Sequence, residues 1–358
     1  MKDHIEKLFN SQASLQEIKN KIVGGVASFP KRIKVLEQMV NSILPQVDEL
    51  IVYLNNYEEL PAFLIDSKVT VFRSQDSGDI SANGKVYHID KLTSCYFFSL
   101  DDDIEYPTDY VDKMIACLKK YDNMVGVAVH GSIFPRRVQW YFERYSLYSF
   151  VRGLKTDTFV TLIGSGTLAF HTDTLKAKFS DFCGDVMVDL RFSILAREQG
   201  IPLVCIARPK RWLKALVPDE GLYQENLKRK TYHTTVAVKH NPWSYEIYKS
   251  IIQPVADVCF RGIDDNEIRL LKLDKQFIVS LKDDTVPENW KETARYRRNV
   301  EQRKAVFDPI GFAGEKRILE ESHPFTIRQL LSRAVRKPGI NTIRLPYLVF
   351  KHVMRKVR

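Results

Sequence analysis

The sequence predicts an α/β fold: a mixed, mostly parallel central sheet packed between helices, followed by a mainly helical extension. Two patterns point there. Short apolar, β-branched runs alternate with segments whose apolar residues recur at helical spacing, the signature of strands covered on both faces by helices. A chain of 358 residues with 44% hydrophobic residues can also bury a substantial core, as one large domain with additions or as two modest ones.

Residues 1–20 read as a short polar helix. The run KIVGGVASF, Lys21 to Phe29, is a buried first strand that ends in a loop at Pro30 and two basic residues. Leu36, Met39, Val40 and Ile43 then share one helical face, and Pro45 stops the pattern. LIVYLNN gives the second strand with an Asn-Asn exit. Further strands are expected at Val69–Phe72, Cys95–Leu100, Met124–Val129 and Leu203–Ile206, and helices at Asp109–Lys120 and Val188–Glu198. After about residue 245 charged stretches alternate with short apolar pieces. The expected division is therefore an α/β domain over 21–245 and an extension over 246–358.

Composition excludes several classes. There is no run of eighteen apolar residues and no apolar leader after Met1, so the expected location is the cytoplasm. Cys95, Cys117, Cys183, Cys205 and Cys259 are odd in number, scattered and without CxxC spacing, which suggests reduced, mostly buried thiols and no zinc site. The net charge of +10 looks like a nucleic-acid signal until it is mapped: residues 322–358 hold nine Lys or Arg and no Asp or Glu, leaving about +1 for the rest. A nucleic-acid-binding face would disperse its cations among aromatics, so no nucleic-acid partner is expected. Within the basic tail Leu345, Leu348, Val349, His352 and Val353 repeat at helical spacing beside Arg344, Lys351, Arg355 and Lys356. That suits a short amphipathic helix on an anionic membrane surface, although a helix docked on the protein itself or a disordered end fits as well.

The sharpest chemical feature is a strand, Tyr96 to Leu100, running into Asp101, Asp102 and Asp103. Three adjacent carboxylates at the carboxyl end of a buried strand, with nothing near in sequence to neutralise them, call for a cation. Oxygen donors there suit Mg²⁺ or Mn²⁺, which would bridge the phosphates of a nucleotide diphosphate. The competing reading is an acidic cap on the helix that follows. The loop Asp76–Lys85, with Asp79 and two glycines, could admit an anion to its backbone and to Lys85, or could be a solvated turn. Ile163–Gly164–Ser165–Gly166–Thr167 could floor a sugar ring, with Gly166 permitting close approach, or form a β-bulge. Asp189 and Arg191 could face a sugar hydroxyl or a developing charge, against a helix-capping role for the acid. In Arg208–Pro209–Lys210–Arg211–Trp212, Lys210 could meet the diphosphate and Trp212 could stack on a sugar or base. His130 is a further candidate, and His233 or His240 could supply one more metal ligand.

VASFPKR, the Gly84-Lys85 pair, LDDDIEYPTDYVDKM, the His130-Gly131 pair, IGSGTL, VDLRFS and RPKRWL occur in one order between Val23 and Leu222. In that order they resemble the α-N-acetylglucosaminyltransferases of bacterial heparosan capsule synthesis. The resemblance implies a GT-A fold, the Rossmann-like nucleotide-sugar-binding fold. It implies Asp103 as direct metal ligand, Asp101 and Asp102 on metal-bound water or ribose, and Ser28, Pro30, Arg32 and Asn55 around the nucleotide. It places Lys85 and Lys210 near the diphosphate and makes Asp189 the chief catalytic carboxylate of a retaining transfer. Expected partners are then a UDP-sugar, a glycan or glycolipid acceptor, the inner membrane surface and a second transferase of the pathway. More than a hundred residues follow the matched region without counterpart, which bears on acceptor identity. Two rivals stand beside this reading. A sugar-phosphate nucleotidyltransferase would need a glycine-rich loop where SFPKRIK stands. A non-catalytic basic binding protein would need cations outside the tail.

Overall fold

The computed structural model describes residues 21–134, 144, 146–183, 187–217 and 251, all within the first of two units of the chain, Met1–Arg303. The expected helix over 1–20, the boundary at 245–246, the extension with its basic tail, Cys259, His233 and His240 lie outside the described residues.

The strands are β1 (Ile22–Ser28), β2 (Glu49–Leu54), β3 (Val69–Arg73), β4 (Tyr96–Leu100), β5 (Ile104–Glu105), β6 (Gly126–Ala128), β7 (Gly131–Ile133), β8 (Ser146–Tyr148), β9 (Thr158–Val160), β10 (Leu162–Ile163), β11 (Thr167–His171), β12 (Leu203–Cys205) and β13 (Lys214–Ala215). The longer helices are α1 (Ile33–Ile43), α2 (Tyr110–Lys120) and α3 (Val188–Glu198). Eight strands form one sheet in the order β3-β2-β1-β4-β11-β6-β12-β9. The ladders β1/β2, β2/β3, β1/β4 and β6/β12 are parallel, while β11 runs antiparallel between β4 and β6, and β9 antiparallel at the edge. The architecture is thus a mixed, mostly parallel α/β sheet of Rossmann-like kind. Smaller sheets, β10-β7-β8 and the ribbon β13-β5, flank it.

The helical stripe read from sequence is the one that packs. Leu36, Met39, Val40 and Ile43 of α1 are all buried, joined in the core by Val23, Val26, Leu50, Val52 and Phe98. All five residues of β4 are buried, as an inner strand requires. Fully burying a side chain of this size contributes about 1.5–3 kcal/mol, so β4 is among the most firmly held segments, and it carries the acidic triplet at its end. Cys95, Cys117 and Cys205 are buried free thiols, and Cys183 is an exposed one. Among the described residues no helix is long and apolar enough to cross a membrane.

Candidate functional site

Strand register assembles the site. The parallel ladder of β1 and β4 ends on the pair Gly25 and Ser99, and continuing its register three residues further brings Ser28 opposite Asp102. The antiparallel ladder pairs Thr167 with Leu100, so the preceding Gly166 falls opposite Asp101. A Cβ on Gly166 would lie 1.9 Å from Asp101 Oδ2, so only glycine fits there while that carboxylate keeps its place. Neither alternative weighed from sequence for this stretch was a turn between sheets. The structure makes Gly164–Gly166 the link from β10 in one sheet to β11 in another, closed by Thr167 N–H on the Gly164 carbonyl at 3.1 Å.

The carboxylates have separate partners. Asp102 is buried and accepts from Ser28 Oγ at 2.6 Å and from the Arg32 guanidinium at 2.5 Å. Arg32 also reaches Asp103 Oδ2 at 2.9 Å. Asp101 is ion-paired with Lys85, whose amine is buried. Nothing near in sequence neutralises the triplet, but two side chains do so through space: its cations arrive from the turn after β1 and from the helical turn Ser81–Val86, distant in sequence. The helix-cap reading fails, because α2 begins at Tyr110 and its N-terminus receives no side-chain cap bond.

Among the described residues the cations paired with the triplet are Arg32 and Lys85, and Asp189 is a fourth carboxylate close enough to act on Lys85. Burial raises the Asp102 carboxyl against the pull of Arg32 and Ser28. Burial, reinforced by Asp101 and opposed by Arg32, pushes Asp103 up to about 6. Burial alone would lower Lys85, and the Asp101 carboxylate, with help from Asp189, more than reverses it. His130 is driven down to about 3 by burial, with Arg144 and Arg208 adding to the effect, so the imidazole is neutral.

Asp189 is the second residue of α3, and its carboxylate does not cap that helix. Oδ1 accepts both the N–H of Ser165, at 2.8 Å, and its Oγ, at 2.6 Å. The acid is thereby tied to the glycine turn beside Asp101, and burial raises its pKa against those two donors. Arg191, two residues further on, is half-buried on α3.

The remaining candidates have assigned places. Pro30 opens a short 3-10 turn that presents Arg32, and its missing N–H costs nothing at that position. Asn55 is fully buried and clamps the loop: Oδ1 accepts from Ile80 N–H at 3.2 Å and Ser81 N–H at 3.1 Å, and Nδ2 donates to the Ser81 carbonyl at 3.1 Å. Asp79 accepts from Asn56 at 2.7 Å. The alternative of a solvated turn is overturned for Lys85, since Asn83 to Val86 are buried and Gly25 packs against the Lys85 backbone. Lys210 is exposed. Trp212 is committed to the start of α2, donating to Asp109 at 2.8 Å beside the Tyr110 ring. Arg208 is buried, and its guanidinium serves the carbonyls of Ile206, Tyr148 and Ser149 as a strut.

Two participants were given no role from the sequence. Tyr106, fully buried, donates to the Gly166 carbonyl at 2.6 Å and accepts from Asp101 N–H at 2.9 Å, bridging the two segments that frame Asp101. The ribbon β13/β5 brings Leu216 N–H to the Asp103 carbonyl at 2.8 Å, so the chain after Trp212 returns to the triplet.

Among the described residues no group of three or more His, Cys, Asp or Glu converges as a cation cage. The donors nevertheless fit Mg²⁺ or Mn²⁺ of the kind held by one or two carboxylates plus phosphate oxygens and water: hard oxygens of Asp101 and Asp103 just beyond the carboxyl end of β4. No known protein family matches the chain, and no curated protein is significantly similar to it.

Proposed function

We propose that the chain is a metal-dependent glycosyltransferase of the GT-A class, transferring a sugar from a nucleotide diphosphate to a growing surface glycan, with UDP-N-acetylglucosamine as donor. The observation that carries this reading is the convergence at the carboxyl ends of β1 and β4. Ser28, Arg32, Lys85 and the Asp101–Asp103 triplet meet there, beside the Gly166 turn and Asp189. In open α/β sheets that edge is where ligands bind.

A bound Mn²⁺ or Mg²⁺ would supply charge neutralisation to the departing diphosphate, with Asp103 and Asp101 as its protein ligands. Arg32 and Lys85 provide positive charge along the same edge for phosphate oxygens. Ser28 holds one oxygen of the buried Asp102 carboxylate, and Arg32 bridges the other to Asp103. Ser165 engages only Oδ1 of Asp189, which leaves this carboxylate oriented to position an acceptor hydroxyl or to stabilise positive charge on the sugar. Front-face attack with retained configuration needs no strong general base, and a second, inverting reading would use Asp189 as that base. The nucleotidyltransferase alternative has less support, since β1 leads into a proline-started turn and not a glycine-rich loop. The proposed setting is the cytoplasmic face of a membrane, where a glycan or glycolipid acceptor and a partner transferase of the same pathway would meet the basic tail.

The test is titration of purified full-length chain with UDP-N-acetylglucosamine and other nucleotide sugars, with and without Mn²⁺, for wild type and Asp103→Ala. Metal-dependent binding that disappears in the variant is expected. Absence of nucleotide-sugar binding under every condition refutes the reading.

A further inference from the structure

The two cations at the triplet differ in how firmly they are fixed. Lys85 is anchored: its side chain is 4% exposed. A Cβ on Gly25 would come within 2.2 Å of the Lys85 carbonyl, and one on Gly84 within 2.7 Å of the Tyr53 ring, so the backbone on both sides of this lysine is wedged. Its amine lies under the combined pull of Asp101 and Asp189. Arg32 is less enclosed. It ends a three-residue 3-10 turn in which no residue is buried, and its side chain is 13% exposed.

Arg32 occupies Asp102 Oδ1 and Asp103 Oδ2 together, at 2.5 and 2.9 Å. Ser28 holds the other oxygen of Asp102 and would keep that carboxylate in place if the guanidinium left. The oxygens that Arg32 covers are hard donors of the kind a divalent cation takes, and guanidinium binds phosphate in the same forked manner as carboxylate. A guanidinium on those oxygens and a divalent ion on Asp103 compete for the same charge.

Resting on the transferase reading, we infer that Arg32 is an exchangeable counter-ion: a nucleoside diphosphate draws it off Asp102 and Asp103, and Asp103, so freed, joins Asp101 in accepting the divalent cation. Metal and nucleotide binding are coupled through this one side chain. By linkage each ligand tightens the other by the same factor. Lys85 stays on Asp101 throughout, so the site never carries the full charge of its carboxylates unbalanced.

The experiment measures Mn²⁺ affinity of the full chain by electron paramagnetic resonance titration, alone and with saturating UDP, in wild type and Arg32→Met. Wild type is expected to bind Mn²⁺ about tenfold more tightly with UDP than without it, a coupling of about 1.4 kcal/mol. Arg32→Met is expected to bind Mn²⁺ alone severalfold more tightly than wild type, with the coupling reduced. If Arg32 only grips phosphate, the variant loses UDP affinity while Mn²⁺ affinity without nucleotide stays at the wild-type value, and the inference is overturned. Equal Mn²⁺ affinity with and without UDP in wild type also overturns it, whatever the variants do. Arg32→Gln, neutral but able to donate to Asp102, repeats the test if the methionine variant does not fold. Failure of wild type to bind either ligand in any combination sinks the transferase reading itself, a different outcome from binding without coupling.

Discussion

Replacing Gly166 by alanine puts a methyl carbon 1.9 Å from Asp101 Oδ2 and 2.1 Å from its Cγ. Ordinary carbon contacts are about 3.5 Å, so something must move by roughly 1.5 Å. The backbone cannot easily yield, because β11 and β4 are paired from Thr167/Leu100 to His171/Tyr96 and Tyr106 ties the Gly166 carbonyl to Asp101 N–H. The carboxylate, 41% exposed on its side chain, is the part able to swing away. It would then leave the buried Lys85 amine with less compensation. Overpacking of this kind costs about 1–3 kcal/mol. Chemical unfolding of Gly166→Ala should show that loss, and its Mn²⁺ affinity should fall about tenfold, equivalent to ~1.4 kcal/mol, as Asp101 is displaced. In the double variant Asp101→Ala/Gly166→Ala the clash is gone, so its stability loss should be smaller than the sum of the two single losses. A Gly166→Ala protein within about 0.5 kcal/mol of wild type, with unchanged Mn²⁺ binding, would refute the close approach of Gly166 and Asp101.

Two further outcomes follow from the same cluster. Asp103 titrates near 6 in the folded protein, above its unfolded value, so folding binds extra proton between about pH 4 and pH 6 and stability from this group is lost as pH rises through that window. Asp103→Asn should therefore match wild type near pH 4 and exceed it near pH 7 by about 1–3 kcal/mol without metal. Added Mn²⁺ should raise the melting temperature of wild type only, and a variant less stable than wild type at pH 7 would contradict the assignment. Tyr106→Phe strands Asp101 N–H and the Gly166 carbonyl, which should cost about 1–3 kcal/mol in urea unfolding, whereas a neutral effect would show that water replaces the hydroxyl.

The expected α1 stripe and the runs that became β1, β2, β3, β4, β6 and β12 were legible because burial leaves a periodic apolar record in each segment. The same holds for α2 and α3, whose bounds fall within a residue of expectation. β11 was not foreseen as the antiparallel strand between β4 and β6, and β5, β7 to β10 and β13 are two or three residues long. Nothing local says which neighbour a strand will choose. Asp189 shows the same limit at the site. Its position near the start of a helix made capping the natural local reading, but its acceptor geometry is spent on Ser165, a residue of another strand connection.

By itself the sequence determined the alternation of strands and helices and the placing of three carboxylates at the end of a buried strand, because hydrophobic periodicity and adjacency are local properties. Only the tertiary structure decided what those carboxylates meet. Arg32 stands 70 residues from Asp102, and Lys85 stands 16 from Asp101. Gly166 becomes obligatory through a ladder partner and Trp212 is drawn to Asp109 across 103 residues. Charge compensation and steric exclusion act through space over a few ångströms, so they are fixed by strand order and register, which no single segment encodes.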